Sequence, residues 1–512
     1  MASANLDPAE GRGAAGFAPR AFWIVLALAA AVASRAPFAF LDRPYHDEPI
    51  YALIASYWLE GLIPYRDAWD VKGPGLFALY AFAQALGAEP LACLWILPLL
   101  ASVAMAAALV AMGEEWFGDA RVGGLAAIVF AVYGLAQDGA RGPAILLAAP
   151  FIAWGLLLAL RPRLWQVAAG GCLLGCAVTI LQSSAFEAAF AFALVLLGGE
   201  GRMGVRALRA GALALGGVAP ALGFGALFYA QGALHDLWEA TVVVALARSV
   251  NHGVGLFEAL AVNLRWSAAP FLPLFTLAGV LVVLRTRLNA REDAGARLIA
   301  LWFACVAAAV LLQRAAYTTY MFALLAPLSL AAGLIAVRAW DGMRAVGERA
   351  CACIAAALIL VYPTYWLALE TAWRYSIDVL RETARLIETR AREPGESAGL
   401  YAVDYEASLH LLTGQRPVSR FLFSMHLHCN FTLPDGISAG DEILRIFGRA
   451  PRFVVRRHVT AYRGCIDKDL SDLIYAVIEA FYEPIGSRGR LGEVQIYELR
   501  EGAAEYMRPR PP

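Results

Sequence analysis

The sequence predicts a polytopic α-helical membrane protein of about eleven spans, followed by a small C-terminal α/β domain. Three observations predict it. Hydrophobic residues make up 60% of the 512 and charged residues only 16%, whereas soluble domains carry about 45–50% apolar and about 25% charged residues. The surplus apolar surface has to face lipid. Apolar runs long enough for a crossing recur along the first three quarters of the chain. After Leu369 the pattern breaks into short strand-like and amphipathic stretches.

The runs fall at Ala21–Leu41, Leu91–Met112, Val122–Ala136, Pro143–Leu160, Leu164–Ser183, Ser184–Gly198, Ala207–Ala230, Ala268–Leu284, Leu298–Leu312, Thr319–Val337 and Cys351–Leu369. Pro74–Gly87 is apolar but short, and arginine placement decides its fate. Short cytoplasmic loops collect Lys and Arg. With Pro74–Gly87 lying on the outer surface, the inner segments hold Arg12, Arg20, Arg121, Arg161, Arg163, Arg202, Arg206 and Arg209. They also hold Arg285, Arg287, Arg291, Arg297, Arg338, Arg344 and Arg349. The longer outer loops keep only Arg43, Arg66, Lys72, Arg141, Arg248, Arg265 and Arg314. Counting Pro74–Gly87 as a span would invert every later loop, so it is expected to be an interfacial helix.

Four segments follow: a cytoplasmic tail (1–20), a membrane domain (21–370), an amphipathic connecting helix (371–393) and a C-terminal domain (394–512). The tail is polar and the first apolar run lacks a small-residue cleavage site, so the run reads as an uncleaved anchor. Eleven crossings put the C-terminal domain outside, in the periplasm if the cell is bacterial. Trp373, Ile377, Leu380, Ala384 and Ile387 recur at helical spacing. Gly399–Val403, Arg452–Val455 and Val494–Leu499 read as strands and Leu470–Phe481 as a helix. Cys429 and Cys465 would sit in an oxidising compartment where a disulfide is permitted; the other six of the eight cysteines lie in apolar segments.

Basic and acidic residues balance at 42 each, so nothing points to a nucleic-acid partner. Only Lys72 and Lys468 are lysines; the remaining basic residues are arginine, which singles Lys72 out. It lies in the first outer loop, where His46-Asp-Glu-Pro-Ile-Tyr51 is followed by Gly61-Leu-Ile-Pro-Tyr-Arg-Asp-Ala-Trp-Asp-Val-Lys-Gly-Pro74. Asp47 and Glu48 open a helix whose N-terminus favours negative charge, so capping alone accounts for the pair as well as chemistry does. Arg35 and Glu187 fall within spans, where ionisable groups are costly; Arg35 is expected to snorkel and Glu187 to lie near the surface. His46, His235 and His252 show no ligand spacing.

The loop resembles the polyprenyl-phosphate-sugar glycosyltransferases of the GT-C fold. Within that group it is most similar to the branch holding the aminoarabinose and galacturonosyl transferases of lipid A, with protein O-mannosyltransferases more distant. The resemblance is specific over Asp47–Pro74, and span number, topology and an outward C-terminal domain extend it. It implies a bacterial inner-membrane enzyme that passes a sugar from an undecaprenyl-phosphate donor to an envelope glycolipid such as lipid A, with inversion. It assigns the acidic motif to Asp47 and Glu48, a second acidic position to Asp138 and the phosphate-contacting lysine to Lys72. The family's Glu before that lysine is Val71 here, and its late His-Tyr is Thr319-Tyr320, so no ligand set for a divalent metal stands out. No cofactor is therefore assigned, and the oligomeric state is left open.

Physical reasoning points the same way. Transfer to a hydroxyl needs a base, which a carboxylate provides, and the departing phosphate is stabilised by preorganised cations. Lys72 is a compact point charge suited to phosphate. Arg66, Arg141, Arg265 and Arg314 are further outer-face cations, for which a lipid-headgroup or loop contact is the commoner role; Arg66, Arg141 and Arg314 are the candidates for the donor phosphate. Tyr51, Tyr65, Trp69, Asp70 and Tyr320 are the expected substrate or lipid contacts. The rival class is a transporter or flippase of an anionic lipid-linked sugar. Transporters commonly carry internal repeats and broken midplane helices; no repeat is evident here, and the polar candidates cluster in outer loops.

Overall fold

The computed structural model describes residues 20–39, 47–136, 142–198, 201–250, 257, 261, 268–312, 318–373, 377–391, 399–403, 407–429, 431–457, 467–489 and 494–507, without the side chains of 249–250, 318 and 366–377. Among the described residues, seven helices are long and apolar enough to cross a membrane, and four shorter apolar helices stand between them. Each expected span coincides with one of these. The early ones are α1 (Arg20–Arg35), α4 (Pro90–Met112), α5 (Ala120–Tyr133), α6 (Ala144–Ala159), α7 (Leu164–Ile180), α8 (Ala185–Ala193, the middle of a helical run Gln182–Gly198) and α9 (Met203–Ala230). Two further helices, α2 (Glu48–Leu59) and α3 (Pro74–Ala85), are twelve residues each and pack on one another and on α4. They are too short to span, as expected of Pro74–Gly87.

Small residues set the closest helix crossing. A Cβ at Gly171 of α7 would lie 2.1 Å from the Leu213 carbonyl oxygen of α9, and one at Gly175 would lie 2.2 Å from that of Gly217. Backbones approach this closely only where no side chain intervenes, the usual device of membrane helix pairs.

Two intramembrane charges depart from expectation. Arg35 does not snorkel: it is 2% exposed, and it donates to Ser102 Oγ at 3.1 Å and to the Gly134 carbonyl at 2.9 Å. A buried guanidinium is tolerated where hydrogen-bond partners such as these satisfy it. Glu187 is also buried. It lines a cavity of about 30 Å³ with Ser184, Trp302 and Tyr320.

The C-terminal domain is a four-stranded sheet in the order β1-β2-β4-β3, with β1 Leu400–Val403, β2 Phe453–Arg457, β3 Tyr482–Arg488 and β4 Val494–Leu499. β1 runs parallel to β2, and the other pairs are antiparallel. Alternation divides its two faces. Leu400, Ala402, Phe453, Val455, Val494 and Ile496 pack under the helix Ile377–Arg390. On the other face, Tyr401, Val403 and Val454 meet Ile443, Ile446, Ile474 and Ile478 in a core continuous with that of the membrane helices. β3 was not evident in the sequence. It holds Pro484 and Gly486, which a sheet tolerates at an edge. The last span's helix continues to Trp373, so the amphipathic helix begins at Ile377 rather than Thr371.

Candidate active site

The Asp47–Pro74 loop lies beneath the C-terminal domain. Trp69 N–H donates to the Arg420 carbonyl at 2.8 Å, and Trp69 bridges to Phe421 in parallel. Arg416 pairs with Glu60 at 2.6 Å, and Asp435 N–H donates to Glu239 Oε1 at 2.6 Å.

Asp47 occupies the N-cap of α2. Its carbonyl oxygen accepts from Ile50 N–H at 3.0 Å, but its side chain makes no capping hydrogen bond. Its carboxylate is therefore not held by the helix terminus. Tyr51 Oη, one turn on, donates to Asp47 Oδ2 at 3.3 Å. Glu48 is buried in the same first turn. Burial first, then Asp47, Asp70 and Glu48 in turn, hold the Tyr51 phenol well above its ordinary range, so Tyr51 stays a donor.

Lys72 is positioned through its backbone. Its N–H donates to Asp70 Oδ1 at 2.8 Å, and its carbonyl oxygen accepts from Tyr65 Oη at 2.9 Å. On one side, Gln182 Nε2 donates to the Val71 carbonyl at 2.6 Å. On the other, Gly73 and Gly75 lie directly on the end of α7. A Cβ at Gly73 would sit 2.0 Å from the Thr179 carbonyl oxygen, and one at Gly75 would sit 2.4 Å from Thr179 Oγ1. The Lys-Gly-Pro-Gly run is thus a seat for the loop against a helix. Asp70 is buried, and burial pushes its carboxyl up against the opposing pull of the Lys72 charge and N–H.

Arg248 joins this loop through Trp69. The Arg248 guanidinium packs between two aromatic rings, with Cζ 5.1 Å from the Trp69 centroid and 4.9 Å from that of Phe431. Arg248 had appeared in the sequence only as one outer-loop charge, and His426 carried no signal at all.

Other expectations are revised. Arg66 does not join the cluster. The chain turns at Tyr65, where φ is 70°, burying that phenol and sending Arg66 outward to pair with Asp67 at 3.1 Å. Tyr51, Tyr65 and Trp69 are at most 2% exposed. Their rings pack on Phe77, Tyr80, Phe228 and Phe421, so they build the site's walls rather than offer open stacking faces. Asp138, Arg141, Arg265, Arg314, His46, His252 and Cys465 lie outside the described residues. Cys429 is disulfide-bonded, and the other six described cysteines are free thiols. Among the described residues, no group of three or more His, Cys, Asp or Glu could hold a metal ion.

A multi-helix membrane body, the Asp47–Pro74 loop seated against the end of α7 and a small sheet domain closing over that loop make up a GT-C-like fold. The structure is similar to that of ArnT from Cupriavidus metallidurans bound to undecaprenyl phosphate, with a TM-score of 0.57 and 15% identity over 94% of this chain and 98% of that one. It is also similar to the same protein in the apo state, with a TM-score of 0.56 and 13% identity over 96% and 99%. The apo Archaeoglobus fulgidus oligosaccharyltransferase matches at 0.54 and 15% over 94% of this chain and 74% of that one. No family model and no curated protein sequence matches the chain.

Proposed function

We propose that this protein is a membrane glycosyltransferase that takes a sugar from a polyprenyl-phosphate donor and passes it to an envelope glycolipid of the lipid A type. The observation that carries the reading is one loop that holds Asp47 and Lys72 and on whose Trp69 ring the Arg248 guanidinium packs at 5.1 Å. The resemblance of the Asp47–Pro74 loop and the likeness to ArnT bound to undecaprenyl phosphate support it.

The transfer is a single inverting displacement. Asp47 accepts the proton of the acceptor hydroxyl as its oxygen attacks the anomeric carbon. The bond from that carbon to the phosphate oxygen breaks, and the electron pair leaves on the polyprenyl phosphate. Lys72 and Arg248 stabilise the charge that develops there. Tyr51 orients the Asp47 carboxylate through its hydrogen bond. Buried Glu48 adds negative charge behind that pair. Asp138 orients the acceptor, and Arg141 and Arg314 extend the phosphate site.

The same reading sets the orientation. The N-terminus lies in the cytoplasm of a bacterial inner membrane and the C-terminal domain in the periplasm, with Cys429 paired to Cys465 in that oxidising space. The segments 1–20, 21–370, 371–393 and 394–512 serve as tail, transferase body, connector and cap.

The test is transfer itself. Purified protein in vesicles receives undecaprenyl-phosphate sugars and lipid A, and the glycolipid is read by mass spectrometry. A mass gain of one sugar, lost in Asp47→Asn, is expected. No transfer across hexose, aminopentose and hexuronic acid donors overturns the assignment.

A further inference from the structure

Three histidines of the C-terminal domain are buried, and two of them have partners that explain them. His428 Nε2 lies 2.8 Å from the Tyr401 hydroxyl, and His410 Nδ1 donates to the Gln415 carbonyl at 3.0 Å. His426 differs. It is 6% exposed, and its Nδ1 has no hydrogen-bond partner among the described residues. Native proteins rarely leave a buried polar atom unsatisfied, and the exceptions call for a reason.

The surroundings of His426 supply one. Its ring stands edge-on to Trp69 at 5.0 Å, to Phe423 at 5.3 Å and to Phe431 at 6.2 Å. Trp69 and Phe431 are the same two rings that hold the Arg248 guanidinium. Imidazole and guanidinium are therefore neighbours between shared walls, although one belongs to the C-terminal domain and the other to an outer segment of the membrane body. The charged groups facing His426 are Arg248, Asp47 of α2's N-cap and Lys72 of the first loop.

We propose that His426 is a phosphate-binding residue, the third donor of an anion site that Lys72 and Arg248 begin. It rests on the function above only in taking the ligand to be a lipid-linked phosphate. A phosphate ester presents several oxygens and takes several donors. Lys72 and Arg248 stand near Asp47 and Asp70, so carboxylates offset part of their charge. A ring nitrogen that takes up a proton as phosphate arrives tips the balance. Before binding, burial first and the Arg248 charge second hold the imidazole well below its ordinary range. A phosphate beside it reverses the electrostatic part of that penalty and raises it. A group whose pKa is higher in the complex than in the free protein favours the complex at low pH, so this contribution to affinity grows as pH falls.

The experiment measures binding and does not require turnover, so a failure of sugar transfer leaves it standing. The full chain in phosphatidylcholine nanodiscs is titrated with undecaprenyl phosphate at about pH 6 and about pH 8, on either side of histidine's ordinary range. Wild type is compared with His426→Phe, which keeps a ring and removes both nitrogens. His426→Asn is the third protein; it keeps a donor near Nδ1 and cannot ionise. The ligand's own titration is common to all three, so the difference between proteins isolates the histidine. His426→Phe is expected to weaken binding by about tenfold or more at the lower pH and by less at the higher. His426→Asn is expected to match wild type only at the higher pH. Inorganic phosphate as competitor separates the sources. Displacement with the same His426 dependence assigns the site to any phosphate group, and no displacement assigns it to the lipid-linked form. Equal affinities in wild type and His426→Phe at both pH values overturn the proposal. If His426→Phe does not fold, a low-pH gain in His426→Asn equal to that of wild type overturns it instead.

Discussion

The guanidinium carbon of Arg248 lies 5.1 Å from the ring centroid of Trp69, so a cation of one outer segment is set by an aromatic of another. Trp69 in turn hydrogen-bonds through its backbone to Arg420 of the C-terminal domain. A cation held on ring faces keeps its N–H edges directed sideways, where an anion can meet them. The charged cluster is thus fixed by three parts of the chain that only the folded state brings together.

Asp47→Asn should lower turnover by about 10²–10⁴-fold, the range typical of losing a general base, with expression and thermal midpoint unchanged. The Asp47 side chain makes no capping bond, so the variant removes no such bond from α2. Sugar transfer within a few-fold of wild type would remove Asp47 as the base.

Two of the bonds that Lys72 makes come from its backbone, N–H to Asp70 and carbonyl from Tyr65, and Lys72→Ala retains both. The variant should fold normally and lose about 10- to 100-fold in donor affinity or turnover, the worth of a charge-assisted contact. Lys72→Arg should recover only part, because a planar fork fills the site differently. Kinetics at saturating and limiting donor divide the loss between binding and turnover; full activity in Lys72→Ala would exclude the role.

Gly73→Ala removes no functional group, yet it should disable the enzyme. The new methyl would sit 2.0 Å from the Thr179 carbonyl oxygen and 2.7 Å from its carbon, both backbone atoms. Relieving that overlap displaces Lys72, at a cost of about 1–3 kcal/mol. Gly204→Ala in α9, with no atom within 4 Å of the added carbon, should change stability by no more than about 0.5 kcal/mol. Equal thermal midpoints and activities for the two variants would mean that the seat on α7 is not needed.

His410 predicts a pH dependence of stability. It is buried, and burial pushes its imidazole down to about 4, against the Gln415 carbonyl that pulls it up. The unfolded chain binds a proton near the ordinary value of about 6.5, while the folded chain does not until about 4. Stability contributed by the neutral ring is therefore complete above the first value and falls as pH drops toward the second, by on the order of 3 kcal/mol. Unfolding midpoints of wild type and His410→Phe across that window check it, since carboxylate titrations are common to both. Parallel curves would exclude the effect.

What the sequence disclosed follows from the range of each interaction. Every expected span matches a helix because apolar runs are local and lipid leaves backbone groups no other partner. Asp47 and Lys72 were legible together because one loop carries both. The fate of Arg35 was not, since its acceptors, Ser102 and Gly134, lie on other segments that only packing brings near. The same is true of Arg248 and His426, whose proximity depends on how the C-terminal domain sits over the loop. β3 escaped because Pro484 and Gly486 erase the strand signal at positions an edge strand can spare.

The contact of Gly73 and Gly75 with Thr179 has a consequence for engineering. Chimeras that exchange the first outer loop between related proteins, in order to transplant donor preference, will carry a loop shaped to one helix end onto another. Because the two surfaces meet backbone to backbone at Gly73, no rotamer change absorbs a mismatch there. The loop and the end of α7 behave as one interchangeable part, and swapping residues 60–85 together with 164–184 is the smallest graft that keeps their fit.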